Sequence, residues 1–107
     1  MTTIRRLQPQ HRRQLILSAA LRLAGRRGYR EIEVGDVATE AKVSTALVIH
    51  YFGSMDVLRA AVLREAISRE DLQVVAQGIS HLDPVATEAP AALRRRAARW
   101  LLGRRDA

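Results

Sequence analysis

Apolar residues recur at helical spacing along most of the chain. Ile16, Ala19, Ala20 and Leu23 lie three and four apart and predict a first helix over 10–26. Gly25 and Gly28 bracket Arg26-Arg27, a helix-stop pattern, and basic residues in a last turn suit the helix dipole. Val34, Val37, Ala38 and Ala41 share one face and predict a short second helix over 34–41. Ser44 is a good N-cap for a third helix, 45–52, which Gly53 ends. Ser54 caps a fourth, starting near Met55 with Asp56 in its first turn. Leu58, Val62, Ala66, Leu72, Val75 and Ile79 carry the period onward. It weakens at Ser68-Arg69-Glu70-Asp71, where a capping-box pattern predicts a break or kink. Asp83-Pro84 opens a linker over 83–90. A last helix, about 89–102, sets Leu93, Ala97, Trp100 and Leu101 on one face and Arg94, Arg95, Arg96 and Arg99 on the others. The one strand-like patch is Ile32-Glu33-Val34. The expected fold class is all-α.

Size and composition narrow the function. With 107 residues the chain forms one domain with a modest core. Cysteine is absent, which excludes a disulfide scaffold, a thiolate metal site and a cysteine nucleophile. Residues 1–30 hold eight arginines and no acid, residues 31–93 are net acidic, and residues 94–107 hold six arginines against Asp106. Basic ends around an acidic middle point to a polyanion, nucleic acid or an anionic membrane, against the plainer reading of charge for solubility. Arg12-Arg13 followed by Leu15-Ile16-Leu17 imitates a twin-arginine export signal, but Arg22 interrupts the apolar stretch too early. No run approaches the length of a membrane span. The expectation is a soluble, cytoplasmic protein.

No enzyme motif is present: the sequence has no nucleophile elbow, phosphate loop or paired carboxylates. His11, His50 and His81 fit no zinc spacing, so neither metal nor cofactor is expected. The Arg94–Arg99 cluster has three readings: a solvated face around a packed stripe, a hold on DNA phosphates, or an interfacial membrane helix over 89–105 beside Trp100.

Two short helices joined by a tight turn at Lys42-Val43 outline a helix-turn-helix. In that motif the second helix presents its N-terminal residues to base edges, and small or polar residues permit close approach. Here they are Ser44-Thr45-Ala46. Thr45 can hydrogen-bond a base, and Ala46 can touch a thymine methyl.

The stretch Arg13 to Leu58 resembles the DNA-binding domain of the TetR family of bacterial transcriptional repressors. The matching pieces, in order, are Ile16-Leu17-x-Ala19-Ala20-x-x-Leu23, Gly28-Tyr29, Val34-x-x-Val37-Ala38-x-x-Ala41-x-Val43-Ser44, His50-Tyr51-Phe52-Gly53-Ser54 and Asp56-x-Leu58. The variants Ser44-Thr45-Ala46 and His50-Tyr51-Phe52-Gly53 are most similar to its betaine-regulator branch. The resemblance implies a basic arm over 1–9, a helix-turn-helix domain over 10–54 and a helical C-terminal segment over 55–107. It implies that Thr45 and Ala46 face bases, that Ser44, His50 and Tyr51 meet phosphates or fix the reading helix, and that Arg5 and Arg6 reach the backbone or minor groove. Gly35 stands where some members place a base-reading side chain.

The departures from the family pattern concern electrostatics and length. Lys42 replaces the usual turn glycine, and a left-handed non-glycine residue costs about 1–2 kcal/mol. A phosphate contact from Lys42 would offset that. Ile49 and Met55 replace a tyrosine and a lysine that typically touch phosphates, Glu33 replaces a capping threonine, and Ala24 a core phenylalanine. Family members usually carry a larger second domain for effector binding and dimerisation, so the sequence reads as a shortened chain or a natural short protein that dimerises through 72–100. Effector sensing of the family's usual kind is not expected. The resulting expectation is a bacterial regulator held to the nucleoid through double-stranded DNA. It would be a repressor, binding a palindromic operator as a homodimer. The alternative is a module of the same fold that has lost strong DNA binding and docks protein partners.

Overall fold

The computed structural model describes residues 8–106, with side-chain surroundings given through Arg104. These residues form seven helices: α1 (Pro9–Arg27), α2 (Val34–Ala41), α3 (Thr45–Phe52), α4 (Met55–Arg69), α5 (Leu72–Ser80), α6 (Pro84–Thr87) and α7 (Ala91–Asp106). The all-α expectation holds, and α2 and α3 have the expected bounds. No single described helix is long and apolar enough to cross a membrane.

Local chemistry sets most helix starts. The Ser44 hydroxyl accepts from the Leu47 N–H at 3.1 Å, and the Ser54 hydroxyl from the Val57 N–H at 3.2 Å. Each satisfies one orphan donor of a first turn. Gly53, at φ 84°, provides the left-handed step between them, and α3 and α4 meet at 73° across it.

The break expected over 68–71 is present, and the fourth helix stops at Arg69. Glu70 takes a left-handed conformation (φ 56°), and the Asp71 N–H donates to the Ala66 carbonyl at 2.8 Å, the long bond of a Schellman stop. The expected box does not form at Ser68, which lies inside α4. Asp71 caps α5 instead, accepting from the Val74 N–H at 3.2 Å. The expected linker over 83–90 contains a helical turn, because Asp83 accepts from the Val85 N–H at 3.0 Å and Pro84 is preset for a first helical position. The last helix therefore starts at Ala91 rather than Ala89.

The core forms where α1 packs against α2, α4 and α5. Ile16, Val37, Val48, Leu58, Val62 and Val74 are almost completely buried in it. Ala24 is fully buried, and its carbonyl accepts from the Gln77 side-chain amide at 3.0 Å. The Gln77 side-chain oxygen accepts from the Tyr29 N–H at 2.8 Å, and Gln73 donates to the Gly25 carbonyl at 2.7 Å. Two α5 glutamines thus satisfy the C-terminal end of α1. The Tyr29 hydroxyl donates to Asp83 at 3.0 Å. Burial, then that bond, pushes its pKa up to about 12. At Gly78 a Cβ would stand 2.6 Å from the Ala86 Cβ, so α5 and α6 approach as closely as they do only through glycine.

Charge fixes α2 to α1. Arg22 and Arg26 lie 3.3 and 2.8 Å from the Glu40 carboxylate, and Arg27 lies 3.2 Å from Asp36. The Arg26 hydrogen bond is the main cause holding Glu40 below its ordinary 4.5. The Glu33 N–H, donating at 2.9 Å, is the main cause holding Asp36 below 3.8. A carboxyl with a lowered folded-state pKa contributes stability above its unfolded value and loses it as pH falls through the folded one. Glu40→Gln is therefore expected to melt below the wild type at pH 7, with the gap closing as pH falls below about 4. Thermal melts across that range check this, and equal melting temperatures at pH 7 would contradict it.

Candidate nucleic-acid interface

Helix α2 is eight residues long and anchored by Val37 and Ala38. It ends at Lys42, which is left-handed (φ 62°, ψ 43°), as expected of a residue in the glycine position. The Lys42 N–H donates to the Thr39 carbonyl and the Val43 N–H to the Ala38 carbonyl at 3.0 Å, closing the turn. The Lys42 side chain is exposed. Replacing it by glycine is expected to raise stability by about 1 kcal/mol, since relief of left-handed strain exceeds the added unfolded-state entropy. If Lys42 meets a phosphate, the same change flattens the salt dependence of DNA binding by about one unit of slope. Urea unfolding and a salt titration read the two effects separately.

Helix α3 divides cleanly into two faces. Val48 and Phe52 are buried, with Leu47 and Tyr51 half-buried beside them. Thr45, Ala46, Ile49 and His50 are exposed. Steps of one, three and one residues put these four on a single stripe over two turns. The first turn contains no acid. Ser44 is also exposed. Its oxygen is engaged by the Leu47 N–H, while its own hydroxyl hydrogen remains free to donate. The His50 and Tyr51 rings meet edge-on with centroids 5.0 Å apart. The structure thus gathers Lys42, Ser44, Thr45, Ala46 and His50 on the exposed side of the turn and α3. Tyr51 is more enclosed and packs against the core. Arg5 and Arg6 lie outside the described residues.

The positions that depart from the family pattern also have clear places. Ile49 and Met55 line an apolar cleft of about 110 Å³ together with Val34, Phe52 and Leu58. This surface is hydrocarbon. Glu33 is largely exposed, but its carboxylate lies 3.9 Å from Arg59. Arg59 also donates to the Ile32 carbonyl at 2.8 Å and lies 3.9 Å from Asp56. Its Nε is buried without a partner among the described residues. Arg59 ties the start of α2 to α4 and offsets part of the Glu33 charge.

Arg59 and Arg13 escaped the sequence reading. The Arg13 guanidinium sits over the Phe52 ring, 4.7 Å from its centre, and joins α1 to the end of α3. The only sequence signal for Arg59 was its place three residues after Asp56 on one helix face. At the C-terminal end, Arg96 pairs with Glu70 at 2.7 Å, Arg94 donates to the Ala89 carbonyl at 2.9 Å, and Arg104 stacks on Trp100. Part of the C-terminal arginine set is therefore committed within the fold. Among the described residues, no group of three histidine or acidic side chains is placed to hold a metal ion.

Two eight-residue helices, a left-handed turn and a capped second helix with a free outer stripe define a helix-turn-helix protein. Residues 16–62 match the family model described as bacterial regulatory proteins, tetR family. Over these residues the chain is similar to that family's helix-turn-helix domain. It is 44% identical over 61 residues to the HTH-type transcriptional regulator BetI of Brucella anthropi, covering 57% of this chain and 31% of that protein. BetI of Brucella suis gives the same identity with 30% of its length covered. The HTH-type transcriptional regulator HbdR of Aromatoleum sp. is 34% identical over 74 residues, covering 67% of this chain and 32% of that protein. The chain thus matches about a third of the length of these curated relatives. No solved structure matches.

Proposed function

We propose that the chain is a sequence-specific DNA-binding transcriptional regulator. It acts in the cytoplasm as a repressor, occupying a two-fold related operator as a dimer and excluding the transcription machinery by steric blockade. The observation that carries this reading is the exposed Thr45–Ala46–Ile49–His50 stripe on a capped helix behind a left-handed turn. Residues 10–54 form the reading unit, and 55–107 support it and supply the dimer contacts. Thr45 and Ala46 face bases; Lys42, Ser44, His50 and Tyr51 hold or approach phosphates; Arg5 and Arg6 extend the grip along the backbone.

The test is selection of binding sites by the purified chain from a pool of random duplexes. Sedimentation of the selected complex then gives its stoichiometry. A recovered motif with two inverted halves, bound by two chains, supports the proposal. A motif without symmetry, bound by one chain, removes the dimer. Failure to enrich any sequence favours the second reading, a protein-docking module of the same fold. The apolar Ile49–Met55 cleft and the exposed Glu33 are the observations on that side.

A further inference from the structure

Ile49 is half exposed, on the same α3 stripe as Ala46 and one turn further along. A large β-branched side chain on the free face of a reading helix is held near one rotamer, so it loses little freedom when it meets a surface. The stripe mixes two chemistries: Thr45 and His50 are polar, and Ala46 and Ile49 between them are apolar. In the major groove, the apolar feature a base edge offers is the 5-methyl group of thymine.

We propose that Ile49 is a specificity-determining residue that packs against a thymine methyl, one helical turn beyond the base faced by Ala46. The inference rests on the DNA-reading role proposed above. The backing for the contact comes from Val34, Phe52 and Met55, which line the apolar cleft beside Ile49.

The experiment uses the full chain and the duplex it selects from a random pool. Each thymine is replaced singly by deoxyuridine, which removes only the methyl group. Affinity is read for the wild type, Ile49→Ala and Ile49→Val. Ile49 is not fully buried, so both variants are expected to melt close to the wild type. At one thymine in each half-site, deoxyuridine should weaken the wild type about four-fold, the value of one buried methyl. The same replacement should leave Ile49→Ala unaffected and Ile49→Val partly affected. Specific binding that ignores deoxyuridine at every position overturns the Ile49 assignment and leaves the DNA-reading role standing. Equal sensitivity of Ile49→Ala and the wild type at every thymine does the same. No preference of the wild type for its selected duplex over a scrambled one overturns both.

Discussion

Phe52→Ala is expected to lower stability by about 3–5 kcal/mol, the range for truncating a buried aromatic. Phe52 is 4% exposed, sits in the main core and receives the Arg13 guanidinium on its ring. Small domains have only about 5–15 kcal/mol in total, so the variant should melt roughly 15 °C or more below the wild type. Its position makes the effect functional as well as structural. Phe52 is the last residue of α3, and the helix has only two turns to hold its exposed stripe in place. Without that anchor the stripe loses its fixed orientation before the rest of the fold is lost. Arg13→Ala removes the stacked cation alone and should cost only about 1 kcal/mol. Urea unfolding followed by circular dichroism checks both. A loss below about 1 kcal/mol for Phe52→Ala would mean that the ring is not anchored where the structure places it.

Thr45→Glu should separate folding from binding. Thr45 is the first residue of α3 and is exposed. A carboxylate in a first turn interacts favourably with the helix dipole, by about 0.3–1 kcal/mol. The variant should therefore be as stable as the wild type or slightly more stable. Facing DNA, the same carboxylate meets phosphate charge, and like-charge juxtaposition at an interface costs several kcal/mol. A lost base contact adds about 1–3 kcal/mol. The expected result is at least about a 100-fold loss of affinity for the selected duplex with an unchanged melting curve. Unchanged affinity would place the N-terminus of α3 away from the groove.

The parts of the fold that could be read from sequence are those with local causes. The limits of α2 and α3 follow from the spacing of Val34, Val37 and Ala38, the Ser44 cap and the Gly53 stop, all within a few residues. The break after α4 falls within Ser68–Asp71, where the apolar period weakens, although Glu70 rather than glycine takes the left-handed position. Asp83-Pro84 reads as the start of a linker, yet a capping acid followed by proline also opens a helix, as α6 shows. The ties that hold the reading unit to its support are not local. Gln73 and Gln77 meet the end of α1 from 48 and 53 residues away, and Arg59 meets Ile32 from 27. No periodicity encodes such pairings; they exist only once α4 and α5 pack on α1. Ile49 shows the same limit within the site. Its spacing of three from Ala46 in the expected third helix is readable, but its half exposure beside an apolar cleft emerges only in the fold.

The most direct test of the account is fluorescence anisotropy of the full chain on its selected duplex and on a scrambled duplex, across a salt series. A preference of about 1,000-fold or more for the selected sequence, with affinity falling steeply as salt rises, is the result predicted for a reading helix supported by phosphate contacts. Equal, salt-sensitive binding to both duplexes would reduce the chain to a basic surface, and no binding at low salt would contradict the DNA-binding role outright.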